Sequence, residues 1–165
     1  MASATKRILG IDPGSHHLGI GCLEKTGPRV RLIFCEIIHA PKNESLYDRL
    51  AVIGERFHSL LADLQPHEVA VEDIFFAKNV RSAIYLGTAR GLAIGACIQR
   101  GLKIHEYAAT QVKSVVTGYG RSDKAQVQKM VEMILGTKIN LGFDATDAVA
   151  VALCHANHLD RRLPR

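Results

Sequence analysis

The order in which hydrophobic periodicity changes along this chain limits its fold more than any other feature. Residues 6–12, 17–24 and 29–39 are rich in strand-forming side chains, with Pro13-Gly14-Ser15 and Lys25-Thr26-Gly27-Pro28 supplying turn chemistry between them. The chain therefore opens with three consecutive antiparallel strands. Leu46, Leu50, Ile53, Phe57, Leu60 and Leu64 then recur at spacings of three and four. That period predicts a helix over 45–64, capped by Ser45 and ended by Gln65-Pro66. A strand over 68–72, a helix over 80–99 stopped by Gly101, and a strand over 102–107 follow. Helices over 110–117, 123–135 and 145–160 close the chain. The strand-helix-strand unit over 68–107 implies parallel pairing of strands four and five, and a right-handed crossover through the 45–64 helix can place strand one beside strand four. The expected class is α/β: a mixed five-stranded sheet, strands 1–3 antiparallel and 4–5 parallel, with helices on both faces. With 165 residues and no repeat or linker, one domain over 1–165 is expected, with short flexible tails at about 1–5 and 160–165.

Acidic side chains fall at the ends of these elements. Asp12 closes the apolar run Ile8-Leu9-Gly10-Ile11, and Glu72 closes Val69-Ala70-Val71. Asp144 and Asp147 open the last helix, three residues apart on one face, in the first turn where the helix dipole favours negative charge. Each has a bland alternative: Asp12 as the start of the Pro13-Gly14 turn, Asp144 as an N-cap. Jointly they point to one site. Two unscreened carboxylates about 4 Å apart repel by roughly 4 kcal/mol at an effective dielectric near 20. Hard divalent cations held by oxygen ligands compensate such a cluster, and a pair of them supports in-line displacement at a phosphodiester. Asp12, on the most buried strand, is the expected bridging ligand. Asp73 alternates to the opposite face and is left outside the site.

The chain carries a formal net charge of +5 and a pI near 9.2. Setting the four acids aside raises the remainder to +9, a basic shell around an acidic centre, as a nuclease needs. Residues 83–98 are too short and too polar to cross a membrane, and no signal peptide is expected in the polar start Met1–Lys6. Cys22, Cys35, Cys97 and Cys154 lie far apart without a CxxC pair, as reduced thiols of a cytoplasmic protein do. His16-His17 and Cys154-His155 with His158 match no common zinc spacing.

Lys113, Arg121, Lys124 and Lys129 fall on the late helices and the loop between them, placed to track a phosphate backbone. Lys78 and Arg81 follow Glu72 beside the adjacent aromatics Phe75 and Phe76. One aromatic there is placed to stack on an unpaired base, a contact worth about 1–3 kcal/mol. Gly87, Gly91 and Gly95 recur every four residues on the 80–99 helix, with Ala83 extending the line. Each helical glycine costs about 1 kcal/mol against alanine, which makes sense where another backbone approaches closely. The partner is either the chain's own sheet or a second copy across a two-fold axis.

The segments ILGIDPGS (8–15), AVEDIFFAKN (70–79), LGTARG (86–91), EYAATQVKSVVTGYG (106–120), DKAQVQKMV (123–131) and DATDAVAVA (144–152) together resemble the RuvC family of Holliday junction resolvases. The resemblance covers residues 8 to about 158 in order. It implies a ribonuclease-H-like fold and an endonuclease that resolves four-way DNA junctions by paired symmetric nicks, leaving 5′-phosphate and 3′-hydroxyl ends. It implies Asp12, Glu72, Asp144 and Asp147 as catalytic metal ligands for two Mg²⁺ ions, with Mn²⁺ expected to substitute. Lys113 and Lys124 match lysines the family uses for DNA contact and cleavage; Phe75 is the favoured stacking residue, with Phe76 left to the core. A homodimer and cooperation with the branch-migration helicase complex of RuvA and RuvB are also implied. Some relatives carry His where Asp144 stands, so this chain is of the all-carboxylate type.

Three rivals remain at this stage. An actin-like nucleotide hydrolase needs two such domains and more chain than 165 residues. A nuclease acting on RNA–DNA hybrids shares the scaffold. A non-catalytic junction binder has no need of all four acids.

Overall fold

The computed structural model describes residues 4–14, 16–73 and 80–161; of Arg81 and Arg161 it describes the backbone. Three antiparallel strands come first, β1 (Lys6–Pro13), β2 (His17–Thr26) and β3 (Arg29–His39). Then come α1 (Leu46–Leu64), β4 (Glu68–Glu72), α2 (Val80–Gln99), β5 (Lys103–Tyr107), α3 (Ala109–Thr117), α4 (Lys124–Leu135) and α5 (Phe143–Arg161). The sheet order is β3-β2-β1-β4-β5, with β4 parallel to both β1 and β5. This is the ribonuclease-H-like arrangement the sequence implied.

Alternation along the strands sorts side chains between two cores. Leu9, Ile11, Leu18, Ile20, Val69 and Val71 point to one face and pack with Ile53, Phe57 and Leu60 of α1 and Ala93 and Cys97 of α2. Ile8, Leu23 and Ala70 point to the other, against Ala145, Val149 and Ala152 of α5, with α3 and α4 packed beyond it. Asp12 and Glu72 share the parity of this second face, so both strand-end acids turn toward α5.

α5 lies almost directly on the strand backbones because three residues beneath it have no side chain. A Cβ on Gly10 would fall 1.9 Å from the Ala148 carbonyl oxygen, one on Gly19 2.3 Å from the Asp144 carbonyl oxygen, and one on Gly21 2.5 Å from Val149. Gly10 and Gly21 are cross-strand partners, and Gly19 pairs with Asp12. Close approach of the last helix is therefore built into β1 and β2.

Most expected boundaries hold within a residue or two. Ser45 Oγ accepts the Asp48 N–H at the start of α1, and Gln65 ends that helix in the left-handed region before Pro66. One turn is tighter than expected. The strands run on to Thr26 and Arg29, leaving Gly27-Pro28 as the connection, with Gly27 at φ 56°. Lys25, expected in the loop, is instead buried; its ammonium is satisfied by the Gly27 carbonyl at 2.7 Å and Asp160 at 2.6 Å.

The α2 glycines do not face the sheet. A Cβ on Gly87, Gly91 or Gly95 would meet nothing within 4 Å. Val80, Ile84 and Ile98 continue the same side of the helix and are exposed. No helix among the described residues is long and apolar enough to cross a membrane.

Candidate active site

The sheet brings two of the acids to one edge of the molecule. Asp12 stands near the end of β1 and Glu72 at the end of β4, the strand beside it. Asp12 is no mere turn residue, since β1 continues through Pro13 and keeps its pairing with Gly19. Asp144 is no N-cap either: α5 begins at Phe143, so Asp144 lies within the first turn. The glycine-floored contact lowers that turn onto β1 and β2. As a result, oxygens of Asp12, Asp144 and Asp147 all lie within 4.8 Å of one another. Glu72 is not in that tight group. It lines, with Asp12 and Asp147, a cleft of about 210 Å³ whose other polar walls are Lys113 and Lys124.

The electrostatics follow from that crowding. The Asp12 carboxyl is pushed up to about 7, first by burial and then by the charges of Asp147, Glu72 and Asp144, against the pull of Lys124. Glu72 is also raised, by burial and by Asp147, while Lys113 and Lys124 oppose the shift. Carboxyls raised by burial and by one another's charge mark a negative cluster that the protein does not balance by itself. The donors are all carboxylate oxygens, the set that hard divalent cations prefer, so the residues present fit such an ion.

Lys124 reaches into this cluster from the first turn of α4. Its Nζ donates to Asp147 Oδ2 at 2.8 Å and lies 4.0 Å from Asp144 Oδ1. Burial would lower its pKa, but the hydrogen bond and charge of Asp147, with Asp144 and Asp12 behind it, raise it instead. The start of α4 is fixed by a reciprocal cap between Asp123 and Gln126. The Phe143 ring flanks the ammonium, with its centroid 5.9 Å away.

The remaining expected contacts divide three ways. Lys113 lines the cleft, and Arg121 is exposed in the turn between α3 and α4. Lys129 is exposed farther along α4, outside the cleft lining, beside Met133 and Lys138. Phe75, Phe76 and Lys78 lie outside the described residues, and the Arg81 side chain is not described. Asp73 is exposed and uses its backbone N–H on the Tyr107 carbonyl.

A second group of metal-ligating side chains lies at the opposite end of β4. Glu68, His105 and His155 bring ligand atoms within 4.8 Å. Their geometry is that of a hydrogen-bonded clamp. The two imidazoles stack with centroids 4.2 Å apart and planes 25° apart, so an ion in the plane of one ring lies out of the plane of the other. His155 is already engaged on both sides, with Tyr107 Oη at 2.6 Å and Glu68 Oε2 at 2.9 Å, and Lys6 pairs with the other Glu68 oxygen. The clamp ties α5 to β4 and β5. Cys154 and His158 engage each other, the His158 ring lying 2.8 Å from the Cys154 carbonyl. His16 meets the Arg49 guanidinium at 2.7 Å.

Sequence reasoning missed the glycine floor, the clamp and the Lys124–Asp147 pair. The first left a signal, Gly19-Ile20-Gly21 alternating in a strand opposite Gly10. The other two join residues 87 and 23 positions apart and left none.

A ribonuclease-H-like sheet with carboxylates from two adjacent strands and a crossing helix is the arrangement that metal-dependent nucleases of this fold class use. Comparison with known proteins fixes which kind. The sequence pattern of the family described as "Crossover junction endodeoxyribonuclease RuvC" matches residues 8–155. Curated relatives of that description include one from Trichlorobacter lovleyi, 46% identical over 95% of this chain and 88% of its own length. Another, from Thermosipho melanesiensis, is 48% identical over 91% of this chain and 96% of its own length. Among solved structures, Thermus thermophilus RuvC in complex with a Holliday junction substrate superposes with a TM-score of 0.87 at 33% identity, covering 94% of this chain and 96% of that one. The yeast mitochondrial Holliday junction resolvase Ydc2, 11% identical with a TM-score of 0.65, shares the fold. The chain belongs to the RuvC family of crossover junction endodeoxyribonucleases.

Proposed function

We propose that this chain cuts four-way DNA junctions by paired symmetric nicks, hydrolysing phosphodiesters at the Asp12–Glu72–Asp144–Asp147 cluster. The observation that carries the reading is the convergence of those acids from β1, β4 and α5 on one cleft walled by lysines. Asp12, its carboxyl pushed up to about 7 by burial and by the charges of all three other acids, would hold two Mg²⁺ ions together with Glu72, Asp144 and Asp147, Mn²⁺ substituting. Two ions so held would supply an activated water for in-line attack and stabilise the departing 3′ oxygen, leaving a 5′ phosphate. The protein's own contribution is placement. Asp144 and Asp147 are placed by α5, which is buried against the sheet, and Glu72 by β4, which pairs with β1 as far as Val71 and with β5 through Glu72 itself. Lys113 and Lys124 place positive charge where scissile-strand phosphates would lie, and Arg121 extends that charge outward. Assignment of Phe75 to base stacking rests on the family resemblance, and that of Lys78 and Arg81 to DNA contact on their place in the sequence just after Glu72.

The functional unit in this reading is a homodimer built on α2. Val80, Ile84, Gly87, Gly91 and Ile98 form an open apolar line on that helix, as close helix approach across a two-fold axis requires. Two sites so related would match the two equivalent strands of a junction. Cooperation with RuvA and RuvB, on the family resemblance, action in the cytoplasm, on cysteines that lie far apart without a CxxC pair, and a single domain over 1–165, on the chain length, complete the proposal.

The test uses purified protein, an immobile four-way junction and an RNA–DNA hybrid, with Mg²⁺ or with EDTA. Paired nicks in the junction with Mg²⁺, absent with EDTA and absent on the hybrid, are expected. Asp12→Asn is expected to abolish cutting while junction binding persists. Full nicking by that variant would refute the assignment.

A further inference from the structure

Among the described residues, Lys124 is the cation nearest the carboxylate cluster. Lys124 Nζ is hydrogen-bonded to Asp147 at 2.8 Å and sits 4.0 Å from Asp144, two members of the tightest acid group. The lysine is well supported there. Its backbone opens α4 behind the Asp123–Gln126 cap, and its ammonium lies over Phe143, the residue preceding Asp144. Lys113 shares the cleft but makes no ion pair with these acids among the described residues. An ammonium bonded to Asp147 Oδ2 competes with a divalent ion for that oxygen, and like charges at such range repel strongly in a partly buried site.

We propose that Lys124 is a built-in occupant of the cation site, holding the DNA-free protein in a state that loads divalent metal poorly and releasing the site when a DNA phosphate takes its ammonium. The idea rests on the proposed metal-binding role of the four acids and adds a regulatory step to it. Lys124 is exposed enough to swing outward, its side chain retaining 56% of its accessibility. A phosphate at the mouth of the cleft offers it an equivalent charged acceptor. The vacated Asp147 oxygen then becomes available for metal. Junction and metal would thus bind cooperatively, and by linkage each must raise the affinity of the other by the same factor. The benefit is selectivity: a site that fills with metal only beside a phosphate is not poised for hydrolysis in its absence.

The experiment measures Mn²⁺ binding to the full chain by electron paramagnetic resonance. It compares wild type with Lys124→Met and Lys124→Gln, and with Lys113→Met and Lys129→Met as charge-matched controls. Each is tested alone and with a junction carrying non-hydrolysable linkages, after a melting curve confirms folding. Without DNA, both Lys124 variants are expected to bind Mn²⁺ roughly tenfold tighter than wild type. The controls are expected to change it far less. With the junction bound, the gap between wild type and the Lys124 variants should close. In parallel, Mn²⁺ should strengthen junction binding less in the Lys124 variants than in wild type. Equal Mn²⁺ affinity in wild type and both Lys124 variants would overturn the gate while leaving the metal site intact. So would an equal gain from Lys113→Met, which would reduce the effect to the general field of the cleft. Absence of Mn²⁺ binding in every protein, with or without junction, would overturn the metal site and the gate together.

Discussion

Gly19→Ala tests whether the strand backbone really sets the position of the acids on α5. The added methyl would lie 2.3 Å from the Asp144 carbonyl oxygen and 3.3 Å from Asp12 Cβ. Ordinary contact begins near 3.4 Å, so the first turn of α5 must rise from the sheet by about 1.1 Å, or β2 must sink by as much. Sinking is resisted, because Leu18 and Ile20 on the other face of β2 are fully buried. The helix is the part that yields, and it carries Asp144 and Asp147 away from Asp12. Overpacking of this kind costs about 1–3 kcal/mol of stability. A displacement near 1 Å at the reacting groups costs about a hundredfold in rate. The assay is single-turnover nicking of a four-way junction at saturating protein, read beside a thermal melt. A folded Gly19→Ala protein cutting within a few-fold of wild type would refute the claim that β2 sets the site's spacing. Gly10→Ala, with its methyl 1.9 Å from the Ala148 oxygen under the middle of α5, is expected to be far less stable than Gly19→Ala.

Asp12→Asn should stabilise the protein in EDTA at high pH. The folded state holds the Asp12 proton up to about 7 whereas the unfolded chain releases it near 3.8, so wild-type stability falls as pH rises through that window. The gap between variant and wild type, from urea melts, should approach about 4 kcal/mol at pH 8.5 and shrink toward zero below pH 4; a gap independent of pH would contradict this. Glu68 behaves in the opposite sense. Burial would raise its pKa, but hydrogen bonds from Lys6 and His155 hold it down at about 2, so its contribution is present above pH 4.5 and lost as pH falls toward 2. Glu68→Gln should therefore be less stable than wild type at neutral pH, with the difference fading in acid; equal stability at pH 7 would remove the clamp from the account. Gly91→Arg puts a long cation on the open line of α2 and should yield a folded species with the 18.0 kDa mass of one chain by light scattering. A wild-type protein of that same mass would dispose of the dimer.

The amino-acid sequence by itself determined the element order, the parity of each strand and the ends at which Asp12 and Glu72 stand. These are local properties. Apolar spacing fixes whether a segment is helix or strand, and a period of two fixes which side chains share a face. The pairing of Asp144 with Asp147 was legible for the same reason, three residues on one helix. Tertiary structure alone decided how far α5 stands from the sheet, and that distance makes three scattered acids one site. It depends on Gly10, Gly19 and Gly21, whose meaning comes only from the helix that happens to lie above them. It likewise decided that Lys124 rests on Asp147, that Glu68 and His155 meet, and that the glycines of α2 face open space. The two contacts join segments far apart in the chain, and no periodicity records which distant backbone will arrive at a given residue, or that none will.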